Sequence, residues 1–131
     1  MTTALATPQF DTLDILNIID GLSDVELDAL EFGVIGFDQD GVVRRYNLFE
    51  SKLAGLSRDR VIGSTLFTVV APCMNNFMVA QRFEDAMVAR GSLDASIDYV
   101  FTLRMRPVSV RLRLLAAPEL AHRYVLVRRS A

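Results

Sequence analysis

Residues 97–129 read IDYVFTLRMRPVSVRLRLLAAPELAHRYVLVRR, and this stretch decides the fold. Apolar and polar residues alternate with the period of two that a half-buried strand requires. In the first run, Ile97 to Met105, the residues Tyr99, Phe101, Leu103 and Met105 share one face. In the second, Val108 to Leu114, Val108, Val110, Leu112 and Leu114 alternate with Ser109, Arg111 and Arg113. In the third, His122 to Arg129, Tyr124, Val125, Leu126 and Val127 form the centre. Arg106-Pro107 and Ala117-Pro118 sit where the chain must turn, since proline donates nothing to a strand ladder. The expectation is three consecutive antiparallel strands.

Upstream, the pattern changes. Phe77, Ala80, Phe83, Ala86 and Met87 are spaced as one face of a helix over Phe77 to Ala89, which Arg90 and Gly91 end. Before it, Leu66 to Val70 reads as a short helical piece stopped by Pro72. Phe32 to Phe37 is β-compatible, Asp40-Gly41 is a hairpin turn signal, and Val42 to Tyr46 is the returning strand. Asn47 can cap a short helix bearing Phe49, Glu50 and Leu53 that ends near Gly55, and Ser57 to Arg60 is a polar loop or one helical turn. Residues 11–31 read as two short helices broken at Gly21, with Ser23 and Glu26 spaced as a capping box. Helices, hairpin, short helices, one longer helix and three strands make an α+β arrangement with about five antiparallel strands and helices gathered on one face. That is the order of a PAS fold. We expect residues 1–28 to form an N-terminal helical cap and residues 29–131 the core of one domain.

Composition agrees. Of 131 residues, 51% are apolar, enough for one buried core. The one cysteine, Cys73, excludes an intrachain disulfide and a multi-cysteine zinc site, and a free thiol suits a reducing cytoplasm. No basic and apolar leader opens the chain, and the uncharged run Val61 to Gln81 is interrupted by Gly63, Pro72, Asn75 and Asn76, so neither export nor membrane insertion is expected. Residues 1–31 hold Asp11, Asp14, Asp20, Asp24, Glu26, Asp28 and Glu31 with no Lys or Arg, whereas residues 101–131 hold seven arginines and one acid, Glu119. We read this as an acidic segment lying on a basic face of its own domain. Arg104, Arg106, Arg111 and Arg113 lack the interleaved aromatics that would stack nucleic-acid bases, so no nucleic-acid partner is expected.

Three residues can carry chemistry. Tyr46 and Glu50 stand four apart, so a helical turn after Tyr46 lets a phenol and a carboxyl point the same way and bind an anion such as a phenolate. The carboxyl can donate there only when burial keeps it protonated. Spacing alone equally permits a strand-end tyrosine and a solvated glutamate. Cys73 follows Val70-Ala71-Pro72 and can be an attachment point, a nucleophile or plain packing. A nucleophile would want a histidine base, and nothing pairs the single histidine, His122, with it.

Taken together, these residues resemble the photoactive yellow protein family of PAS-fold blue-light receptors, from about Leu27 to Arg129. The resemblance runs through Leu27-Asp28-Ala29-Leu30-Glu31-Phe32-Gly33-Val34-Ile35, Arg45-Tyr46-Asn47 with Glu50, Val61-Ile62-Gly63, Val70-Ala71-Pro72-Cys73, Asp98-Tyr99-Val100-Phe101 and Met105. It implies that Cys73 carries 4-hydroxycinnamic acid (p-coumaric acid) as a covalent thioester and that Tyr46 and Glu50 hydrogen-bond its phenolate oxygen. Ile35, Leu66, Val70, Ala71, Phe101, Leu103 and Met105 would line the pocket, with Met105 assisting the return to the dark state. Light would drive trans to cis isomerisation, Glu50 would give up its proton, and the N-terminal cap would partly open as the signal. The chain would then be a receptor and not an enzyme, cytoplasmic, signalling to a separate, unidentified protein or by self-association, with no membrane partner. A PAS interaction or ligand-sensing module without chromophore is the alternative, and a thiol enzyme a distant third. Two positions depart from the family pattern: Ala54 stands where a threonine is usual, and Leu56 where an arginine is usual.

Overall fold

The structure is a computed structural model, and it describes residues 7–102 and 107–129. Helices α1 (Ile15–Gly21) and α2 (Asp24–Asp28) precede strands β1 (Gly33–Phe37) and β2 (Val43–Tyr46). Helices α3 (Leu48–Ala54) and α4 (Arg58–Val61), a π-turn at Leu66–Val70 and a 3-10 turn at Pro72–Met74 follow. Helix α5 (Ala80–Ala89) then leads into β3 (Leu93–Phe101), β4 (Val108–Ala116) and β5 (Arg123–Arg129). The strands form one antiparallel sheet in the order β2-β1-β5-β4-β3. The N-terminal hairpin of β1 and β2 thus joins the C-terminal three strands through the β1–β5 ladder, in which Ile35 pairs with Val125.

Alternation sorts the sheet into two cores. Ile35, Phe37, Val43, Tyr46, Phe101, Leu112, Leu114, Val125 and Val127 pack with Val61, Leu66, Ala71, Met74, Val79 and Phe83 from the short helices. On the opposite face Val34, Leu115, Tyr124 and Leu126 pack with Phe10, Ile15, Ile19, Leu27, Leu30 and Phe32. Both faces of β1 are therefore buried along its whole length, which explains why Gly33 to Phe37 is an unbroken apolar run. Gly36 faces the second core, where a Cβ would come within 2.8 Å of the Tyr124 ring.

Basic residues hold the N-terminal segment against the sheet, mostly through its backbone carbonyls. Arg113 donates to the Phe10 and Thr12 carbonyls, each at 2.9 Å, while its fork grips Asp94. Arg45 donates to the Ile19 and Leu22 carbonyls and to the Tyr124 hydroxyl. Arg128 pairs with Asp11 at 2.9 Å and lies over the Phe10 ring, and the Tyr124 hydroxyl donates to Asp20 at 2.7 Å. Helix α2 starts at the expected capping box: the Ser23 N–H donates to Glu26, and the Glu26 N–H to the Ser23 hydroxyl.

Several boundaries move. Helix α5 begins at Ala80 and not at Phe77, and its buried anchors are Val79 and Phe83, with Phe77 79% and Met87 45% exposed. Asn76 explains the late start: its side chain accepts from the Met78 and Val79 N–H groups and turns the chain before the helix. The strand expected over Ile97 to Met105 begins earlier, at Leu93, because the ladder with β4 carries Asp94, Ala95 and Ser96 despite their low strand propensity. Leu103, Arg104, Met105 and Arg106 lie outside the described residues. No helix among the described residues is long and apolar enough to cross a membrane.

Candidate functional site

The site forms on the first core's side of the sheet, where β2 ends and α3 begins. Alternation along β2 turns Arg45 toward the cap and Tyr46 into the core. Asn47 then caps α3, its side-chain oxygen accepting from the Glu50 N–H at 3.2 Å and also from the Val34 N–H at 2.9 Å. Its amide donates to the Leu27 and Phe32 carbonyls, both at 2.9 Å. One buried asparagine thus ties α3 to β1 and to the end of α2. Gly55 closes α3 in the left-handed conformation at φ 71°.

This arrangement buries both candidate polar groups: Tyr46 is 4% and Glu50 2% exposed. The Glu50 carboxyl lies against β1 so closely that a Cβ on Gly33 would stand 2.1 Å from its Oε1. From the neighbouring strand, Arg129 donates Nη1 to Oε1 at 2.7 Å and Nη2 to Oε2 at 3.0 Å. The same guanidinium lies 5.8 Å from the centre of the Phe101 ring. The reading of Glu50 as a solvated side chain is therefore set aside, and Arg129 enters as a site residue that local spacing does not reveal. Burial raises the Glu50 pKa, and the hydrogen bonds and charge of Arg129 oppose that rise without cancelling it. Burial and the Glu50 charge raise the Tyr46 phenol, whose hydroxyl donates to no described residue.

The thiol reaches the same core from the other side. The π-turn ends at Ala71, Pro72 opens the 3-10 turn, and half-buried Cys73 packs against the cluster that contains Tyr46. Its carbonyl accepts from the Tyr99 hydroxyl at 2.6 Å and from the Asn76 amide at 3.1 Å, which pins the turn to β3. Ile35, Leu66, Ala71 and Phe101 are buried in this cluster, and Val70 and Leu56 pack on its edge. His122 faces elsewhere: its ring neighbours Asp20 of the cap and Tyr124 of the second core. Among the described residues, no group of His, Cys, Asp and Glu could hold a metal ion.

The raised Glu50 pKa has a measurable consequence. A carboxyl that binds its proton more tightly when folded contributes stability that is complete below the unfolded value, and that contribution is lost as pH rises through the folded one. We expect wild type to lose stability relative to Glu50→Gln as pH climbs above 4.5, the ordinary glutamate value. Urea unfolding of both proteins over a pH series checks this; parallel profiles would contradict it.

A family of PAS-fold domains matches residues 27–128. Photoactive yellow protein of Rhodothalassium salexigens is 36% identical over 106 residues, covering 81% of this chain and 84% of its own length. The chain belongs to the photoactive yellow protein family. The photoactive yellow protein of Halochromatium salexigens is likewise 36% identical, over 80% of this chain and 83% of its own. A solved photoactive yellow protein domain from a sensor histidine kinase of Rhodospirillum centenum superposes with a TM-score of 0.78 at 43% identity, covering 86% of this chain and 98% of that domain. The five-stranded sheet with its short helices is the PAS fold of this family, and the chain is a sensory domain of the photoreceptor type.

Proposed function

We propose that this family member is a blue-light photoreceptor that holds p-coumaric acid as a thioester on Cys73. The observation that supports this most is one apolar core with a half-buried free thiol packed against it and a buried phenol and carboxyl at its other side. These residues fit the group. The Cys73 thiol could accept the acyl carbon, apolar Ile35, Leu66, Val70, Ala71 and Phe101 would flank a planar ring, and Tyr46 and a protonated Glu50 would supply O–H donors for a phenolate oxygen. When bound, the conjugated thioester supplies visible absorption and trans to cis isomerisation.

The chain's own residues do the rest. Tyr46 and neutral Glu50 spread the phenolate charge, which an apolar core would otherwise penalise heavily. With the group bound, Glu50 would hold the proton nearest that oxygen, and giving it up would leave a buried carboxylate. Its backbone is hydrogen-bonded to the Asn47 side chain, which also holds the Leu27 carbonyl at the end of α2. Movement of α3 is thereby felt at residues 1–28, which we assign as the releasable cap on the 29–131 core. We read the protein as a receptor; its histidine, His122, lies beside Asp20 and Tyr124 rather than Cys73. Its reduced thiol suits the cytoplasm. The kinase context of the R. centenum domain favours a signalling protein as the partner that reads the cap.

The test is a flash experiment on protein supplied with p-coumaric anhydride. We expect a visible band that bleaches in blue light and recovers in darkness, with faster amide hydrogen exchange in the cap under illumination. A colourless protein would favour a PAS interaction module in which Cys73 is packing.

The two departures tune this cycle. Ala54 ends α3 without a hydroxyl, and Leu56 packs on the core edge where a cation would be solvated. We expect Ala54→Thr and Leu56→Arg, alone and together, to retain the photocycle and to shift its colour or recovery rate. Unchanged spectra and recovery in all three variants would contradict a role for these positions.

A further inference from the structure

We propose that Arg129 is the third polar residue of the site's head, the cation that receives the Glu50 carboxylate once Glu50 has given up its proton. The inference deepens the photoreceptor reading and rests on it for its light-dependent half.

The geometry carries it. The two terminal guanidinium nitrogens each donate to one carboxyl oxygen, Nη1 to Oε1 at 2.7 Å and Nη2 to Oε2 at 3.0 Å, the two-point pairing that arginine makes with an ionised carboxylate. A protonated carboxyl has one good acceptor oxygen and directs its O–H elsewhere, so it fills this fork poorly. The pair is enclosed: the side chains are 15% and 3% exposed. The charged and titratable groups facing the Glu50 carboxyl are Arg129 from β5 and the Tyr46 phenol from β2; Gly33 of β1 presents none.

The site therefore serves Glu50 in both protonation states. Neutral, it satisfies the preference that burial imposes and can donate its proton. Ionised, it closes on Arg129. The proton transfer breaks the Glu50 O–H bond, leaves the electron pair on the carboxyl and forms an O–H bond at the phenolate oxygen, with no other reactant. An ionised Glu50 is then not an unpaired buried charge, which would cost several kcal/mol. Arg129 lowers the energy of the proton-transferred state and prolongs it.

Arg129→Gln and Arg129→Lys test this in two ways. In the chain without pigment, carbon-13 NMR of the Glu50 carboxyl should show Gln raising its apparent pKa by about one unit or more, a tenfold gain in proton affinity, and Lys raising it less. In the pigment-loaded chain, dark recovery should accelerate roughly three- to tenfold in Gln, half or more of that tenfold gain on a logarithmic scale, with Lys between Gln and wild type. A Glu50 titration left unchanged by both substitutions overturns the proposal whether or not pigment binds. Failure of wild type to take up pigment overturns the photoreceptor reading, while the titration still decides the pairing. Should Gln not fold, an unchanged titration in Lys alone overturns it, because Lys removes the two-point contact.

Discussion

Cys73→Ala is expected to abolish covalent pigment completely and to leave the fold standing. The turn that presents Cys73 is held by its backbone: the carbonyl accepts from Tyr99 and Asn76, and both bonds survive in alanine. Met74 next to it is fully buried and keeps the turn anchored in the core. The sulfur itself is only half-buried, so removing it should cost on the order of 1 kcal/mol, the common range for a point substitution. The result is read by intact mass and visible absorption after supply of p-coumaric anhydride, with circular dichroism and a urea titration for the fold. Pigment that remains attached in the alanine variant would refute Cys73 as the anchor. Loss of the fold would refute the account of what holds the turn.

Asn47→Ala carries the largest expected effect on stability. The asparagine is 1% exposed, and its side chain accepts two N–H groups and donates to two carbonyls. Alanine leaves the Val34 N–H and the Leu27 and Phe32 carbonyls without these partners and removes the α3 cap. Each unsatisfied buried group costs about 1–3 kcal/mol, and a lost cap about 1. Partial relaxation and water entry reduce the sum, so we expect a loss of roughly 3–5 kcal/mol, at the upper end for one substitution. Because one of the lost partners lies at the end of α2, hydrogen exchange in the cap should accelerate even in darkness. A loss below about 1 kcal/mol in urea unfolding would show that the Asn47 contacts contribute little.

Local chemistry made much of this structure readable in advance. The Ser23–Glu26 box, the Asp40-Gly41 turn with Gly41 at φ 80°, the Asn47 cap and the Gly55 stop each depend on residues a few positions apart, and each forms as expected. Strand periodicity placed Arg111 and Arg113 on the face away from the first core. Arg113 is covered by the cap and Arg111 pairs with exposed Asp98. What escaped depends on contacts between distant segments. Nothing near Glu50 in sequence announces Arg129, which arrives 79 residues later through the β1–β5 ladder. Asn47 was legible as a cap, but its amide bonds to Leu27 and Phe32 require α2 to be docked. The helical stripe from Phe77 to Met87 had the right period, yet Asn76 bends the chain and leaves Phe77 outside the helix and exposed. The α5 terminus falls where expected, after Ala89, with Arg90 in the left-handed position at φ 52°.

The identity of the ligand on Cys73 is the centre of this account, and the mass of the intact protein together with its visible spectrum tests it most directly. After supply of p-coumaric anhydride, we predict the mass of the chain plus one p-coumaroyl group, lost on thiol exchange, and a visible absorption band that unfolding removes. An unmodified mass with no visible band would contradict it.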